Sequence, residues 1–411
     1  MHHDADFPPG FMFGAATAAH QVEGGNVGSD WWEWEHREGT PAKEPSGDAI
    51  DHYHRYPEDF ALLAGLGHNA HRLSIEWARI EPAPGEWSQA ALDHYARVLT
   101  SLAEHGLTAL ATLQHFTLPR WFAERGGWLA EDAADRFGAY VAKVAETLGD
   151  LMPYACTINE PQIAAVSGYL TGAFPPGHTD LDEWQRVTHT LIHAHRVGVE
   201  ALRTGPSRPR AGICLQLPAF EPARPDDSGC AAACEFVRAW MQDVYVDALR
   251  ERPEAAGDFV GVQYYTRELI DPSVPDGRVP VPDGEPVTQM GWGWHPDGLR
   301  LALHTAARAG LPLIVTENGI ATPDDTERTA FLDVHLRATR RAMDEGCDVR
   351  GYVHWSAFDN FEWNEGYAPT FGLVGIDYTN RLHRVIRSSA EAFCAVARTG
   401  RIAALSPWLG R

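Results

Sequence analysis

Short apolar runs alternate with segments of helical periodicity along the chain, and this alternation restricts the possible folds more than any other feature. Eight such runs occur, near residues 12–18, 71–77, 108–116, 154–160, 211–218, 258–266, 313–319 and 351–360. Helical periodicity is clearest in residues 90–104, 132–148, 181–202, 230–250 and 326–345. Strands that alternate with helices favour a parallel sheet covered on both faces. Eight of them predict an α/β fold, a closed (β/α)8 TIM barrel, with residues 1–411 as a single domain.

The composition excludes several classes of protein. With 411 residues, 44% of them hydrophobic, the chain can bury a large core without metals or disulfides. Its net charge of −22, from 34 basic and 56 acidic residues, argues against nucleic acids and anionic membranes as partners. The first ten residues lack a basic region followed by an apolar run, and no later stretch is long and apolar enough to span a bilayer, so a cytoplasmic location is expected.

The six cysteines are scattered along the chain. Cys156 and Cys214 lie in predicted buried strands, whereas Cys230 and Cys234 share one face of a predicted helix. Neither pair has further His or Cys residues at the spacing of a metal site. They are interpreted as packing residues, and no metal site is predicted.

Two segments each place a glutamate at the end of an apolar strand: TINEP at Thr157–Pro161 and TENG at Thr316–Gly319. A lone glutamate at a strand end is most often a solvated loop residue. In the predicted barrel, however, Glu160 and Glu317 end the fourth and seventh strands, and the carboxyl ends of all barrel strands meet at one mouth. Double displacement at a sugar carbon requires such a pair, with carboxyl groups about 5–5.5 Å apart when configuration is retained.

Two connections on the same face are too long for simple turns. Residues 24–54 are rich in Gly, Trp and charge, and residues 271–296 contain six prolines. Such βα loops either shape a ligand pocket or form ordered surface excursions without a ligand.

From Phe11 to about Gly375 the sequence resembles glycoside hydrolase family 1, the β-glucosidase family. The resemblance is carried by FMFGAATAAHQVEG from Phe11, by TINEP around Glu160 and by VTENG around Glu317. It implies a (β/α)8 barrel that cleaves β-glycosides with retention and without a cofactor. It also implies that Glu160 is the general acid/base and Glu317 the nucleophile. An ionised Glu317 would raise the pKa of Glu160, as the acid role requires.

The resemblance implies further site residues. Arg72 matches the arginine that keeps the nucleophile ionised, and Tyr265 matches the tyrosine that hydrogen-bonds it. Taken alone, Arg72 could equally form a structural ion pair, and Tyr265 could equally be an aromatic residue of the core. Outside this pattern, a histidine or tryptophan would be interpreted as a packing residue. The implied substrate-binding residues are Gln21, His115, Asn159, Gln263, Trp292, Trp355, Glu362, Trp363 and Phe371.

The segment DNFEW, at Asp359–Trp363, favours a neutral substrate. A carboxylate at Glu362 would repel a phosphate group on the sugar 6-hydroxyl.

The chain departs from the family pattern at two site positions. Gln263 replaces the usual Asn, and one extra methylene beside the nucleophile shifts a hydrogen bond by about 1 Å. Phe116 replaces the usual Trp after the histidine, which removes an indole donor.

A third departure is the connection from Arg252 to Asp258, which is shorter than the family pattern implies. The shortening predicts a more open entrance on the leaving-group side. Trp292, Trp294 and Trp32 are expected to line that side, although packing of loop aromatics is an equally good interpretation.

These inferences predict a retaining β-glycosidase that acts on a small-molecule β-glycoside or short oligosaccharide, with β-glucosides ahead of galactosides or fucosides. The alternatives are a transglycosidase that hands the sugar to an alcohol or another sugar, and a noncatalytic sugar-binding barrel.

Overall fold

The computed structural model describes residues 6–274 and 277–409. Eight parallel strands close into a barrel in their order along the chain, and the last strand pairs with the first. We number them β1 to β8: Met12–Ala16, Ala70–Ser74, Thr108–Thr112, Tyr154–Asn159, Arg210–Gln216, Phe259–Tyr264, Leu313–Asn318 and Val349–His354. The predicted α/β fold, a (β/α)8 barrel, is confirmed.

Outer helices follow the eight strands and cover the barrel. They are α1 to α8: His52–Gly65, Gln89–Glu104, Ala133–Leu148, Leu181–Thr204, Ser228–Arg238 continued by Val244–Glu251, Asp297–Ala307, Asp325–Asp344 and Ser388–Thr399. Ser88, Asp180, Asp227 and Asp324 accept backbone N–H bonds in the first turns of α2, α4, α5 and α7, as N-cap residues of these types do. Shorter helices span Ala19–Val22, Asp30–His36, Trp77–Ile80, Arg120–Ala123 and Pro161–Ala165.

The helix predicted over residues 230–250 is interrupted within α5. Residues Ala239–Asp243 form a π turn, which inserts an extra residue into a helix. The turn buries Met241 and Gln242, and the Gln242 side chain donates a 2.6 Å hydrogen bond to the carbonyl of Pro218, just beyond β5.

Apolar side chains fill both the barrel interior and the layer between strands and helices. Close strand packing excludes side chains at some positions. A methyl group added to Gly261 on β6 would lie 2.7 Å from Thr316 Oγ1 and 2.8 Å from Cys214 Sγ. Cys214 and Cys156 belong to the interior cluster, and all six cysteines are free and buried.

Long connections build the mouth of the barrel at the carboxyl ends of the strands. The connection after β1 contains the helix Asp30–His36, and the one after β6 contains the strands Arg267–Ile270 and Arg278–Val279, which pair with each other. Ala219–Pro222, after β5, joins this small sheet, and a hairpin of Val374–Asp377 and His383–Ile386 follows β8. Both loops that were predicted to be long lie at this face; residues 275 and 276 are outside the described part of the chain.

The short connection between α5 and β6 lies at the opposite face, because it joins the end of a helix to the start of a strand. The Ala256 carbonyl is 3.1 Å from His195 Nε2, and the Asp258 carboxylate accepts a 2.8 Å bond from the Ala211 N–H at the start of β5. The shortening of residues 252–258 therefore does not bear directly on the entrance of the leaving-group side, since helix-to-strand connections lie away from the mouth.

None of the described helices combines the length and apolar character needed to cross a membrane. Residues 1–5, part of the N-terminal segment considered above, lie outside the described residues.

Candidate active site

A cavity of about 300 Å³ opens at the mouth of the barrel. Glu160 directly follows β4, and Glu317 lies at the end of β7. Arg72 and Gln263 are fully buried outside its lining and contact Glu317. The other catalytic and substrate-binding residues implied by the family resemblance all line it: Gln21, His115, Asn159, Glu160, Tyr265, Trp292, Glu317, Trp355, Glu362, Trp363 and Phe371.

Three neighbours hold the carboxylate of Glu317, at the end of β7. Arg72 on β2 and Gln263 on β6 both donate to Oε1, with the Gln263 amide nitrogen 2.8 Å away. The Tyr265 hydroxyl, just beyond β6, donates to Oε2. Both oxygens are thus fixed in orientation, as an attacking carboxylate requires. The extra methylene of Gln263 does not prevent this contact.

Asn159 connects this cluster to His115. Its Oδ1 accepts hydrogen bonds from Arg72 at 2.5 Å and from Gln263 at 2.9 Å. Because both partners are donors, the other terminal atom of the Asn159 side chain is the amide nitrogen. That nitrogen lies 3.3 Å from His115 Nε2, so Nε2 accepts and Nδ1 carries the proton. Burial, and then the charge of Arg72, lowers the pKa of His115 well below its ordinary value. His115 is therefore neutral where it lines the cavity, and its Nδ1 is buried without a hydrogen-bond partner in the described chain.

Glu160 differs from Glu317 in its surroundings. Burial raises the pKa of Glu160 well above its ordinary value, and the charge of Glu317 raises it further. Burial also raises the pKa of Glu317, but the Arg72 charge and the hydrogen bond from Tyr265 oppose that rise. One oxygen of Glu160 has no hydrogen-bond partner. Glu160 consequently keeps its proton when Glu317 has lost its own.

The backbone at Glu160 is also unusual. Its φ of +43° lies in the left-handed region, which residues other than glycine rarely adopt. Phe116 and Trp363, which also line the cavity, have φ values of +66° and +53°. Such conformations concentrate at functional sites, where the surrounding structure holds them.

Gln21, Trp355 and Glu362 form a polar corner of the cavity. The Gln21 amide donates to the Phe361 carbonyl at 2.8 Å and approaches Glu362 at 3.4 Å. Burial, and then the charge of Glu317, raises the pKa of Glu362 to about 8, while hydrogen bonds from Trp355 and Gln21 oppose the rise. A largely protonated Glu362 both donates and accepts hydrogen bonds at neutral pH, so it repels phosphate less than the sequence argument assumed.

The aromatic wall of the cavity includes residues that sequence reasoning missed. The Trp363 ring lies 4.6 Å from Trp31 and stacks parallel to His20 at 5.7 Å, while Phe116 meets it edge-on at 5.2 Å. The missed cavity residues include Ile163, Phe174 and Met290. Ile163 follows TINEP and Met290 precedes Trp292, whereas no motif adjoins Phe174 in the sequence.

Two of the tryptophans expected on the leaving-group side lie elsewhere. Trp294 packs edge-on against Phe331 of α7 at 5.7 Å, and Trp32 stacks on His36 of its own helix at 4.5 Å. Neither lines the cavity, so that prediction is wrong; Trp292 does line it. The two side chains find packing partners outside the cavity, which loop sequence does not reveal.

The described residues contain no group of three or more His, Cys, Asp or Glu side chains that could hold a metal ion. The cavity offers a buried protonated acid, a fixed carboxylate and neutral hydrogen-bonding groups. This set suits bond cleavage at a sugar carbon.

Comparison with known proteins agrees with this chemistry. The family described as "Glycosyl hydrolase family 1" matches residues 3–252 and 251–401. The thermostable β-glucosidase B of Thermobispora bispora is 38% identical, over 96% of this chain and 91% of its own. The bifunctional β-D-glucosidase/β-D-fucosidase of Bifidobacterium breve is 34% identical, over 94% and 96%. The solved structure of a β-glycosidase from Pyrococcus horikoshii gives a TM-score of 0.92 at 36% identity and 98% coverage of both chains.

Together with the barrel and the site, these matches define a retaining O-glycosyl hydrolase. The chain belongs to glycosyl hydrolase family 1.

Proposed function

We propose that this protein is a β-glucosidase that removes terminal nonreducing β-D-glucosyl residues from small glycosides or short oligosaccharides, with residues 1–411 as one catalytic domain. The observation that supports this most strongly is the unequal treatment of Glu160 and Glu317 in one cavity. One carboxyl group is buried with a free oxygen, and the other is fixed by Arg72, Gln263 and Tyr265. A proton donor and a nucleophile are thereby separated by their surroundings.

In the first half-reaction, Glu317 attacks the anomeric carbon. A bond forms from its carboxylate oxygen to C1 while the bond from C1 to the leaving oxygen breaks. Glu160 gives its proton to that oxygen, which departs as an alcohol.

In the second half-reaction, the same residue acts as a base. Esterification removes the negative charge of Glu317, which is one cause of the raised pKa of Glu160. Glu160, ionised after the first step, takes a proton from water as the water oxygen attacks C1. The sugar leaves with its original configuration, and Glu317 is restored.

Recognition of the sugar is assigned to the neutral polar groups of the cavity. His115, Asn159, Gln21 and Glu362 offer donors and acceptors to hydroxyl groups, and Trp355 offers a ring face. No Lys or Arg is among the described cavity-lining residues, so a phosphorylated sugar would bury its charge without a partner. A neutral glucoside is the better substrate. The second activity in the name of the Bifidobacterium breve relative supports some tolerance for fucosides.

A panel of nitrophenyl β-glycosides tests this proposal. The glucoside should be hydrolysed fastest, the fucoside and galactoside more slowly, and the 6-phosphoglucoside hardly at all. Proton NMR of the first-formed sugar should show the β-anomer. A first-formed α-anomer, or a preference for the phosphorylated sugar, would refute the proposal.

Transfer to an alcohol or a second sugar is the other candidate activity. Ile163, Phe174, Met290 and Trp292 give the cavity an apolar border that suits an organic acceptor. Product analysis with added acceptor decides, because hydrolysis products alone would eliminate it. A noncatalytic sugar-binding barrel would require binding without turnover across the whole panel.

A further inference from the structure

A second cavity, of about 340 Å³, lies beside the active site and is somewhat larger than the catalytic cavity. Its walls come from the helices Asp30–His36 and Arg120–Ala123 and from residues 175–178. A thin wall separates the two cavities: Trp34 lines the second cavity, and its indole nitrogen donates a 3.1 Å hydrogen bond to Asn364, which lines the first.

Two buried side chains in this second cavity keep unused hydrogen-bonding capacity. Asp30 Oδ1 accepts the N–H groups of Trp31 and Leu118, each at 2.8 Å, and no hydrogen bond from the described chain reaches Oδ2. The Tyr169 hydroxyl faces the backbone N–H of Trp128, which lowers its pKa slightly and leaves its own proton unused. Burial raises the pKa of Asp30 to about 8 and raises that of Tyr169, which favours the protonated form of both groups. The mechanism above uses neither residue.

The rim of the second cavity carries balanced charge. Arg37 and Arg120 line it without an ion-pair partner in the described chain, and the Arg37 guanidinium lies 3.5 Å from the centre of the Trp34 ring. Glu33 and Glu124 line it as well. The two arginines and two glutamates balance in formal charge, and His178, which also lines the cavity, lies 2.7 Å from its partner Glu183, so the rim has no excess of either charge. The complementary ligand is neutral and rich in hydroxyl groups.

We propose that this cavity is an accessory sugar-binding site that takes one neutral hexose unit beside the active site. The carboxyl group of Asp30 and the hydroxyl of Tyr169 bind sugar hydroxyls at its base, and Arg37 and Arg120 bind them at its rim. The site would hold released glucose or the distal unit of an oligosaccharide close to the catalytic cavity. Naming glucose as the hexose rests on the proposed function.

The test first blocks the catalytic cavity with a covalent label, so that binding in the second cavity can be measured by itself. A 2-deoxy-2-fluoro-β-glucoside with a good leaving group should esterify Glu317, and intact-protein mass spectrometry measures that labelling. Glucose is then titrated into the fully labelled protein and followed by saturation-transfer NMR and calorimetry. One glucose should bind per labelled molecule.

Variants locate the bound glucose. Arg120→Gln and Tyr169→Phe should each weaken binding by about 2–10-fold, the effect of losing one hydrogen bond. Arg125→Gln changes a neighbouring exposed arginine outside the cavity lining and should leave binding unchanged. Arg120→Gln should keep full activity on nitrophenyl β-glucoside. Arg120 is exposed, so this variant still decides the matter if Tyr169→Phe fails to fold.

Several results would overturn the proposal: no saturable glucose binding to labelled enzyme, equal affinity in Arg120→Gln and Arg125→Gln, or displacement of glucose by inorganic phosphate. Absence of labelling would instead count against the proposed function. The same titration of unlabelled protein and its variants would then still decide whether this cavity binds glucose.

Discussion

Single residues make two buried glutamates chemically unequal. Glu317 receives hydrogen bonds from Arg72, Gln263 and Tyr265, whereas one oxygen of Glu160 receives none. Because both groups are removed from water, the pKa of each depends strongly on its immediate partners. In the proposed function, the identity of a few neighbours thus decides which carboxyl group attacks and which protonates.

Replacement of each glutamate should give a different kinetic signature. Glu317→Gln should abolish hydrolysis of every β-glucoside, because no ester can form. Glu160→Gln should slow the hydrolysis of alkyl glucosides about 10²–10⁴-fold. It should slow the first step with dinitrophenyl glucoside far less, since a good leaving group needs no proton. Steady-state and burst kinetics distinguish these effects, with Glu58→Gln on the surface of α1 as control. Equal losses for both leaving groups would contradict the acid role of Glu160.

The pH profile should reveal the same asymmetry. Activity should fall at low pH as Glu317 is protonated and at high pH as Glu160 loses its proton, and the pKa values of both are raised. The bell-shaped profile of kcat/KM should therefore lie above the pH range of ordinary carboxyl groups. Tyr265→Phe removes a donor that lowers the pKa of Glu317, so the acidic limb should move to higher pH. An unmoved limb would contradict this role of Tyr265.

At the scale of elements, the ends of neighbouring strands set the distances between site residues. A methyl group added to Gly319, just after β7, would lie 1.7 Å from the carbonyl oxygen of Trp355, just after β8. This close approach brings Trp355 and Glu317 into one cavity.

Gly319→Ala should therefore damage both stability and activity. The added methyl group displaces the backbone at Trp355, which we expect to cost about 1–3 kcal/mol and to lower kcat/KM. Gly65→Ala on α1 is the matched control, because a methyl group there has nothing within 4 Å. Chemical denaturation and glucoside hydrolysis measure the two effects. Wild-type activity in Gly319→Ala would show that strand spacing does not position Trp355.

The elements were predictable from periodicity, but their ends were not. The run predicted over residues 108–116 contains β3 only as far as Thr112, and the run 351–360 contains β8 only to His354. Leu113, Ala357 and Phe358 continue the apolar pattern because the loops at the mouth bury them too. Hydrophobicity therefore does not mark where a strand becomes a loop that lines the site.

At the scale of the whole molecule, buried acids link folding to pH. The pKa values of Asp30 and Glu362 are about 8 in the folded protein, above the 3.8 and 4.5 of exposed groups. Between these values the unfolded chain is ionised while the folded protein keeps its protons. The contribution of Asp30 and Glu362 to the free energy of unfolding is complete at low pH and is lost progressively as pH rises from about 4 to about 8.

Asp30→Asn and Glu362→Gln should therefore reduce the loss of stability between pH 5 and pH 8. Thermal unfolding of each variant and wild type at both pH values measures this difference, with the exposed Glu131→Gln as control. Asn at position 30 keeps an oxygen for the backbone N–H groups of Trp31 and Leu118. Parallel behaviour of Asp30→Asn and wild type would show that Asp30 is ionised in the folded protein.

Periodicity and strand-end polarity are local properties, so the sequence was enough to predict the barrel and to place both glutamates beside its mouth. Tertiary structure alone decided that Trp292 lines the cavity while Trp294 does not, and that residues 252–258 lie at the far face. It also decided the raised pKa of Glu362 and the cavity beside Asp30. Burial and proximity depend on residues distant along the chain, and no local pattern encodes them.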